Sequence, residues 1–309
     1  GFEAAAAAWE TDLLPSRLND FRSSTLDALS YGGDLTWGRF SRRGGPPSVT
    51  GLSRNGPITL AVREELLWLL DAFDSSMALS GAAADVFEFL EKNGASFVSD
   101  IVLGTKRLPS EVDDALWLLV AAGQVTADGF GALRGLVGGR STRARRRSLV
   151  RPRIRSRTSF GQAGSRWSVL RRVAVESDVE VDEMRAMQLL RRYGIIMREL
   201  LSREPMAPPW SQLVRVLRRA EARGQVRGGR FVAGLMGEQF ALPEAVDGLR
   251  AIHRRERTGE IVRVAATDPL NLVGIITPGQ RVPAVLGNEI FYRDGTPVES
   301  IQSIAMTAS

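Results

Sequence analysis

The stretch that decides the fold is Leu217–Phe231, LRRAEARGQVRGGRF, in which an apolar helical pattern ends at a glycine and an apolar residue follows two positions later. The same order occurs as ALWLLVAAGQVTADGF over Ala115–Phe130 and as LDALSYGGDLTWGRF over Leu26–Phe40. Glycine ends a helix well because it adopts the left-handed backbone conformation without a Cβ clash. We therefore predict three helices that each end at a glycine and turn directly into a strand. The three glycines are Gly33, Gly123 and Gly224.

These glycines are 90 and 101 residues apart, which indicates repeated domains rather than a solenoid. The patterns before each glycine predict helix, helix, longer helix and then a strand pair, which is the winged-helix order. In the second copy the predicted helices are Ala82–Asn93, Ser96–Val102 and one that starts at Pro109 with Ser110 as a plausible cap. A generic repeat of two helices and a strand, without the winged topology, is the alternative.

The third copy repeats this order. Its predicted helices are Arg185–Tyr193, Met197–Arg203 and Trp210–Arg223. Its wing is expected to pair Phe231–Val232 with Gln239–Leu242, with Gly234 and Gly237 in the turn.

The last 50 residues are rich in β-formers. Strands are predicted over Glu260–Val264, Leu272–Ile276 and Asn288–Tyr292, and Asp294-Gly295 is a hairpin turn signal. The expected fold class is therefore α+β, with tandem winged-helix units followed by a small β-sheet or β-barrel module. The expected segments are the end of a winged-helix-like unit (1–73), a winged helix (74–137), a basic linker (138–167), a winged helix with a basic third helix (168–257) and the β module (258–309).

Composition excludes several classes of active site. The chain has no cysteine and one histidine, His253, so thiolate sites, multi-histidine metal sites and a Ser-His-Asp triad are nearly excluded. His253 is interpreted as a cation in the last turn of a helix. We expect neither a metal nor a cofactor, and carboxylate chemistry remains open.

Basic residues favour nucleic acid as a partner. The net charge is +6, and Arg140–Arg157 holds nine arginines without an acid, including Arg145, Arg146 and Arg147. Such a run commonly follows phosphates, although a solvated linker that binds nothing specific is an equal interpretation.

The third copy supplies a second candidate surface for DNA. Gln212, Arg215, Arg218 and Arg219 lie near one helical face, whereas the corresponding helix of the second copy begins with Glu111, Asp113 and Asp114 and is interpreted as structural. The alternative for the third copy is a solvated face paired with Glu221. The candidate contacts on and after this helix are Gln212, Arg215, Arg218, Arg219, Arg223, Arg227 and Arg230.

Several stretches resemble the C-terminal region of the bacterial large helicase-related proteins, which are superfamily 2 DNA helicases. They are Trp9–Asp34, Gly94–Phe97, Leu108–Phe130, Leu189–Gly194, Gly228–Glu244 (GGRFVAGLMGEQFALPE) and Thr267–Gly279 (TDPLNLVGIITPG). The resemblance implies that the helicase motor lies upstream in the same polypeptide. This chain itself has no GxxxxGK[ST] phosphate loop, since Gly104-Thr105-Lys106 lacks the spacing, and no DExH box.

That region of the family is also similar to winged-helix DNA glycosylases, which flip a base and cleave its glycosidic bond. The Gln-x-Gln or Gln-x-Asp motif of those enzymes is absent among the eight glutamines here. The remaining catalytic candidates are Asp268, Glu238 and Gln239, with a turn residue and two wing residues as the alternative interpretations. Arg263 or Arg281 is expected near Asp268.

The function expected is a DNA-binding accessory region of a DNA-repair helicase, acting on single-stranded or forked DNA. A glycosylase module for uracil or alkylated bases is the first alternative. A module that assembles copies of the protein is the second, through the acidic helix of the second copy and the apolar tail. We expect a cytoplasmic, nucleoid-associated protein that does not enter a membrane.

Overall fold

A computed structural model describes residues 1–41, 56–71, 79–135, 137, 164–170 and 178–298. The chain folds as two compact units, Gly1–Ala174 and Val175–Ser309. The arginine run that includes Arg145, Arg146 and Arg147 lies outside the described residues.

Three small antiparallel sheets share one topology. In each, the last strand lies between the first and the second, so the orders are β1-β3-β2, β4-β6-β5 and β7-β9-β8. The strands are β1 (Phe2–Ala5), β2 (Leu35–Gly38), β3 (Pro57–Val62), β4 (Ser96–Phe97), β5 (Val125–Ala127), β6 (Arg166–Val169), β7 (Ile195–Ile196), β8 (Arg227–Gly229) and β9 (Gln239–Ala241). A short first strand that pairs with the last strand of the wing is the winged-helix arrangement, so the predicted internal repeat is confirmed.

The helix that precedes each sheet's second strand ends in the same way in all three copies. Gly33, Gly123 and Gly224 have φ of 86°, 66° and 74°. Each glycine N–H bonds to the carbonyl three residues earlier, and the next N–H bonds to the carbonyl five residues earlier, as in Gln225 to Ala220 at 3.0 Å. These two hydrogen bonds form the Schellman motif, which satisfies carbonyls that the helix end leaves unpaired.

The first unit contains two winged helices that share one core. Its helices are α1 (Ser23–Gly32), α2 (Leu66–Asp71), α3 (Gly81–Asn93), α4 (Val98–Thr105), α5 (Pro109–Ala121) and α6 (130–135), with a π-helical turn over Trp9–Leu13. Trp37 of β2 packs edge-on against Phe130 and Trp167, at centroid distances of 6.3 Å and 6.0 Å. Arg39 donates to the Ala121 carbonyl, and Thr126 donates to the Trp37 carbonyl. The two copies are therefore joined by both apolar and polar contacts.

The second unit contains the third winged helix. Its helices are α7 (Asp178–Tyr193), α8 (Trp210–Ala222) and α9 (Pro243–Arg254), with a 3-10 helix over Arg198–Arg203 in the place of the second helix. The core of this winged helix joins α7, α8 and the sheet through apolar side chains that include Leu190, Leu213, Leu217, Val226 and Phe240.

The tail forms an open sheet, so a β-barrel is not supported. Strands β10 (Ile261–Ala265), β11 (Glu289–Arg293) and β12 (Thr296–Val298) pair in antiparallel order, and within the described residues no pairing closes the sheet. The turn at Asp294-Gly295 is confirmed, with φ of 46° and 78° as a type I′ hairpin requires. The predicted strand Leu272–Ile276 is wrong: these residues turn, because Leu272 and Ile276 pack against an apolar cluster of the third winged helix.

Two other predicted elements need correction. The predicted helix Ser96–Val102 starts with β4, because Ser96 and Phe97 pair with β6. In the third copy the predicted wing strand Phe231–Val232 is wrong, because β8, which lies earlier in the chain, pairs with β9 in its place.

The predicted linker 138–167 also differs from the structure. Arg166 and Trp167 belong to β6, which completes the sheet of the second copy. In sequence, the arginine run therefore lies between two strands of one winged helix rather than between two units.

Within the described ranges, no helix combines the length and apolar character that crossing a bilayer requires.

Changing Gly224 to alanine isolates the cost of the helix stop. A Cβ at Gly224 meets no atom within 4 Å, so the penalty comes from the left-handed backbone alone. We expect Gly224→Ala to lower the free energy of unfolding by about 1 kcal/mol. Gly248→Ala is the matched control, since Gly248 lies inside α9 with equally open space, and should raise it by about 0.5–1 kcal/mol. Urea denaturation measures both, and equal signs for the two variants would contradict this account of the repeat.

Candidate nucleic-acid interface

Helix α8 is amphipathic in the way that its sequence predicts. Leu213, Val216, Leu217 and Ala220 are buried on one face. Arg215, Arg218 and Arg219 are exposed on the other, and Arg223 follows the helix. The third helix of the third winged helix therefore presents a basic face to solvent.

Part of this basic face is already paired with acids. Arg218 donates from Nε and from a terminal nitrogen to Glu238 Oε1 of the wing, at 3.0 Å and 2.9 Å. Glu183 of α7 lies 3.9 Å from Arg219 and 3.2 Å from Arg223. Gln212 of α8 donates a hydrogen bond to Asp182 of α7. Glu221, which the sequence analysis named as the acid that pairs with this basic face, instead accepts the Gly228 N–H.

Three of the arginines that the sequence predicts as DNA contacts have no side-chain partner among the described residues. Arg215 of α8, Arg227 of β8 and Arg230 at the start of the wing are exposed. In the part of the chain that the structure describes, none of the three forms an ion pair or a side-chain hydrogen bond. We call Arg215, Arg227 and Arg230 the unpaired arginines.

The wing, residues 230–238, is held by Gln239. This side chain is fully buried; its Oε1 accepts the N–H groups of Phe231 and Val232 at 2.7 Å and 2.8 Å. Its Nε2 donates to the Val232 carbonyl at 2.9 Å. The amide of Gln239 therefore bonds to the wing backbone, and the exposed Glu238 bonds to Arg218.

The second winged helix uses its third helix differently. Seven residues of α5 are buried, among them Leu116, Trp117 and Leu119, in the core that the first unit shares. Glu111 accepts the Leu108 N–H at the start of α5. This helix is packed as a core element, in agreement with its interpretation as structural.

Asp268 lies in a buried polar cluster beside the 3-10 helix. Its side chain is 4% exposed, and its Oδ1 accepts the Leu270 N–H at 2.8 Å. Arg203 donates to the Asp268 carbonyl at 2.9 Å. Burial lowers the pKa of Arg203, and the charge of Arg281 acts in the same direction. Arg263, the other expected neighbour, instead pairs with Glu289 at 2.7 Å.

Three buried polar atoms of this cluster have no hydrogen-bond partner within the described residues: Arg203 Nε, Thr267 Oγ1 and Asn271 Oδ1. Tyr292 borders the cluster and donates to the Leu270 carbonyl at 2.9 Å. Burial raises the pKa of Tyr292, and the charge of Asp268 adds to that effect. The cluster is thus buried, polar and charged.

A second buried network adjoins it. Glu204, 2% exposed, pairs with Arg192 at 2.6 Å and accepts the Tyr193 hydroxyl at 2.8 Å. Burial raises the pKa of Tyr193, and the charge of Glu204 adds to this. Sequence reasoning missed Arg203 and Glu204; the available signal was a pair of adjacent opposite charges directly before Pro205.

We searched the described residues for a possible metal site. Among the described residues, no group of three or more histidine, aspartate or glutamate side chains is placed to hold a metal ion.

Two regions match family models described as winged-helix domains of the large helicase-related protein, over residues 1–62 and 174–261. The chain is 30% identical to the Lhr helicase/uracil glycosylase of Escherichia coli (strain K12), over 93% of this chain and 19% of that protein. It is 29% identical to the Lhr helicase/probable uracil glycosylase of Mycolicibacterium smegmatis, over 89% of this chain and 19% of that protein. The chain thus spans 19% of the length of each relative.

The Tyr193 network makes stability depend on alkaline pH. Since the folded chain holds the Tyr193 proton to higher pH than the unfolded chain, the free energy of unfolding falls as pH rises above 10.0. Tyr193→Phe removes the bond to Glu204 and should cost about 1–3 kcal/mol at pH 7. The variant also lacks the titrating hydroxyl. The difference in free energy of unfolding between wild type and variant should therefore shrink above pH 10.0, by up to about 1.4 kcal/mol per pH unit. Calorimetry between pH 7 and pH 11 measures it, and a constant difference over that range would contradict the assignment.

Proposed function

We propose that the chain belongs to the large helicase-related family, whose winged-helix domains its two matched regions resemble, and that it is the DNA-binding accessory region of a helicase. The observation that carries the proposal is the set of unpaired arginines on the third winged helix, where α8, β8 and the wing meet solvent. In winged-helix and related proteins the third helix enters the major groove, and neighbouring basic groups contact phosphates.

Binding is proposed to be mainly electrostatic. Arginine forms bidentate bonds with phosphate, and each neutralised phosphate releases counterions, so affinity falls steeply with salt. The net charge of +6 acts in the same direction. Such contacts carry little sequence information, which suits a region that holds single-stranded or forked DNA for a motor in the same polypeptide.

Neutralising the unpaired arginines tests this surface. We expect Arg215→Gln, Arg227→Gln and Arg230→Gln together to raise the Kd for forked DNA about tenfold or more and to reduce the salt slope by about 2–3. Fluorescence anisotropy at several salt concentrations measures both quantities.

The matched control removes an existing ion pair at constant net charge. Arg218→Gln combined with Glu238→Gln should change Kd less than about threefold, because exposed pairs contribute little. If this double variant weakens binding as much as the triple variant does, the unpaired arginines are not the contact surface.

Base excision is the second candidate, and the buried cluster around Asp268 favours it. The printed names of both relatives pair a helicase with a uracil glycosylase. Hydrolysis breaks the bond between C1′ and the base, adds hydroxide from water at C1′ and delivers the proton to uracil. A carboxylate can stabilise the cationic sugar or accept the proton of the attacking water. Asp268 is the group proposed here, with Arg203 beside it and the charge of Arg281 acting on Arg203. Alkylated bases are the alternative substrate.

Asp268→Asn separates charge from structure. The asparagine oxygen can still accept the Leu270 N–H, but the carboxylate charge that stabilises the buried Arg203 is lost, so we expect the free energy of unfolding to fall by about 1–3 kcal/mol. Excision of uracil from labelled DNA should be abolished while Kd stays the same. Asp294→Asn is the matched control, since Asp294 also accepts backbone N–H groups in a turn of the same sheet module. Excision that persists in Asp268→Asn, or is absent in the wild type, would end the enzyme proposal and leave the binding proposal intact.

A further inference from the structure

The tip of the third wing exposes a large apolar side chain. Met236 is 81% exposed, the highest value for a large hydrophobic residue in the described ranges. It lies between Gly234 and Gly237, whose φ values of 79° and 98° let the chain reverse around it. A methionine in this position gains little burial within its own chain, so its side chain is accessible to a ligand.

The wing beneath Met236 is braced on three sides. Phe231, Val232 and Leu235 pack against the apolar cluster that includes Ile195 and Val246. Gln239 bonds to the backbone at the base of the wing, and Glu238 bonds to Arg218 of α8. The exposed tip therefore stands on a fixed support, and its position relative to α8 is set before any ligand binds.

Charge on the same winged helix indicates the occupant. The unpaired arginines Arg215, Arg227 and Arg230 lie on its helix, strand and wing. An apolar side chain exposed on a winged helix that also exposes cationic groups matches a nucleic acid, whose phosphates bear negative charge while its base steps are apolar. Methionine is among the residues that act as wedges between bases, and its polarisable thioether suits contact with an aromatic face.

We propose that Met236 inserts between two stacked bases and unstacks that step when the third winged helix binds DNA. The inference rests on the proposed DNA binding and extends it from holding a duplex to deforming one. Phosphate contacts by the unpaired arginines supply the affinity, and the wedge opens the base step that the supported wing reaches.

The test uses the full 309-residue chain and a forked duplex with 2-aminopurine near the fork, because unstacking raises the fluorescence of this base. At saturation we expect the wild type to raise fluorescence roughly threefold as the step opens. Met236→Ala should lose most of that rise while its Kd stays within about threefold, since phosphate contacts dominate affinity. Met236→Leu keeps an apolar wedge and should retain the rise. Leu103→Ala is the matched control, because Leu103 is 76% exposed on α4 of the first unit.

The outcomes separate the two proposals. If the wild type does not bind the duplex, both the DNA-binding proposal and the wedge fail. If it binds without a fluorescence rise, or if Met236→Ala gives the full rise, the wedge alone fails. If Met236→Ala leaves the rise intact and changes the sedimentation coefficient of the free chain, the tip is a contact between copies and the wedge is overturned.

Discussion

The left-handed glycine that ends the helix before each sheet's second strand is the constraint on which the rest of the structure depends. At Gly33, Gly123 and Gly224 two backbone hydrogen bonds close the helix, and the chain leaves in the direction of a strand. That exit places the second strand of the sheet, which in turn fixes where the wing starts and returns. Any other residue at these positions carries a Cβ penalty in the left-handed conformation. The same three-stranded topology therefore follows in all three copies.

The same topology packs its third helix in two different ways in the second and third copies. In the second copy, α5 is apolar on most sides and becomes the core that joins two winged helices, with Trp37, Phe130 and Trp167 packed beside it. In the third copy, α8 is apolar on one side only, and its arginines meet solvent. The number of buried faces on the third helix thus decides how much of that helix meets solvent in each copy.

The buried charges of the second unit attach the β module to the third winged helix. Arg203 of the 3-10 helix donates to the carbonyl of Asp268, and Glu204 next to it binds Arg192 and Tyr193. Buried charged groups are costly unless each finds a partner, so we expect the loss of one charge at this junction to be destabilising. Burial also strengthens the electrostatic effect of these groups on one another.

The sequence by itself determined the repeat, the three helix stops, the turn at Asp294-Gly295 and the amphipathic face of α8, because glycine conformation and helical periodicity are local properties. Tertiary structure alone decided what those residues contact. It paired Arg218 with Glu238 and left Arg215, Arg227 and Arg230 unpaired. It turned the apolar run Leu272–Ile276 into a packed loop and placed Gln239 under the wing. These outcomes depend on residues from different elements that meet only after folding, and no local pattern specifies which acid reaches which arginine.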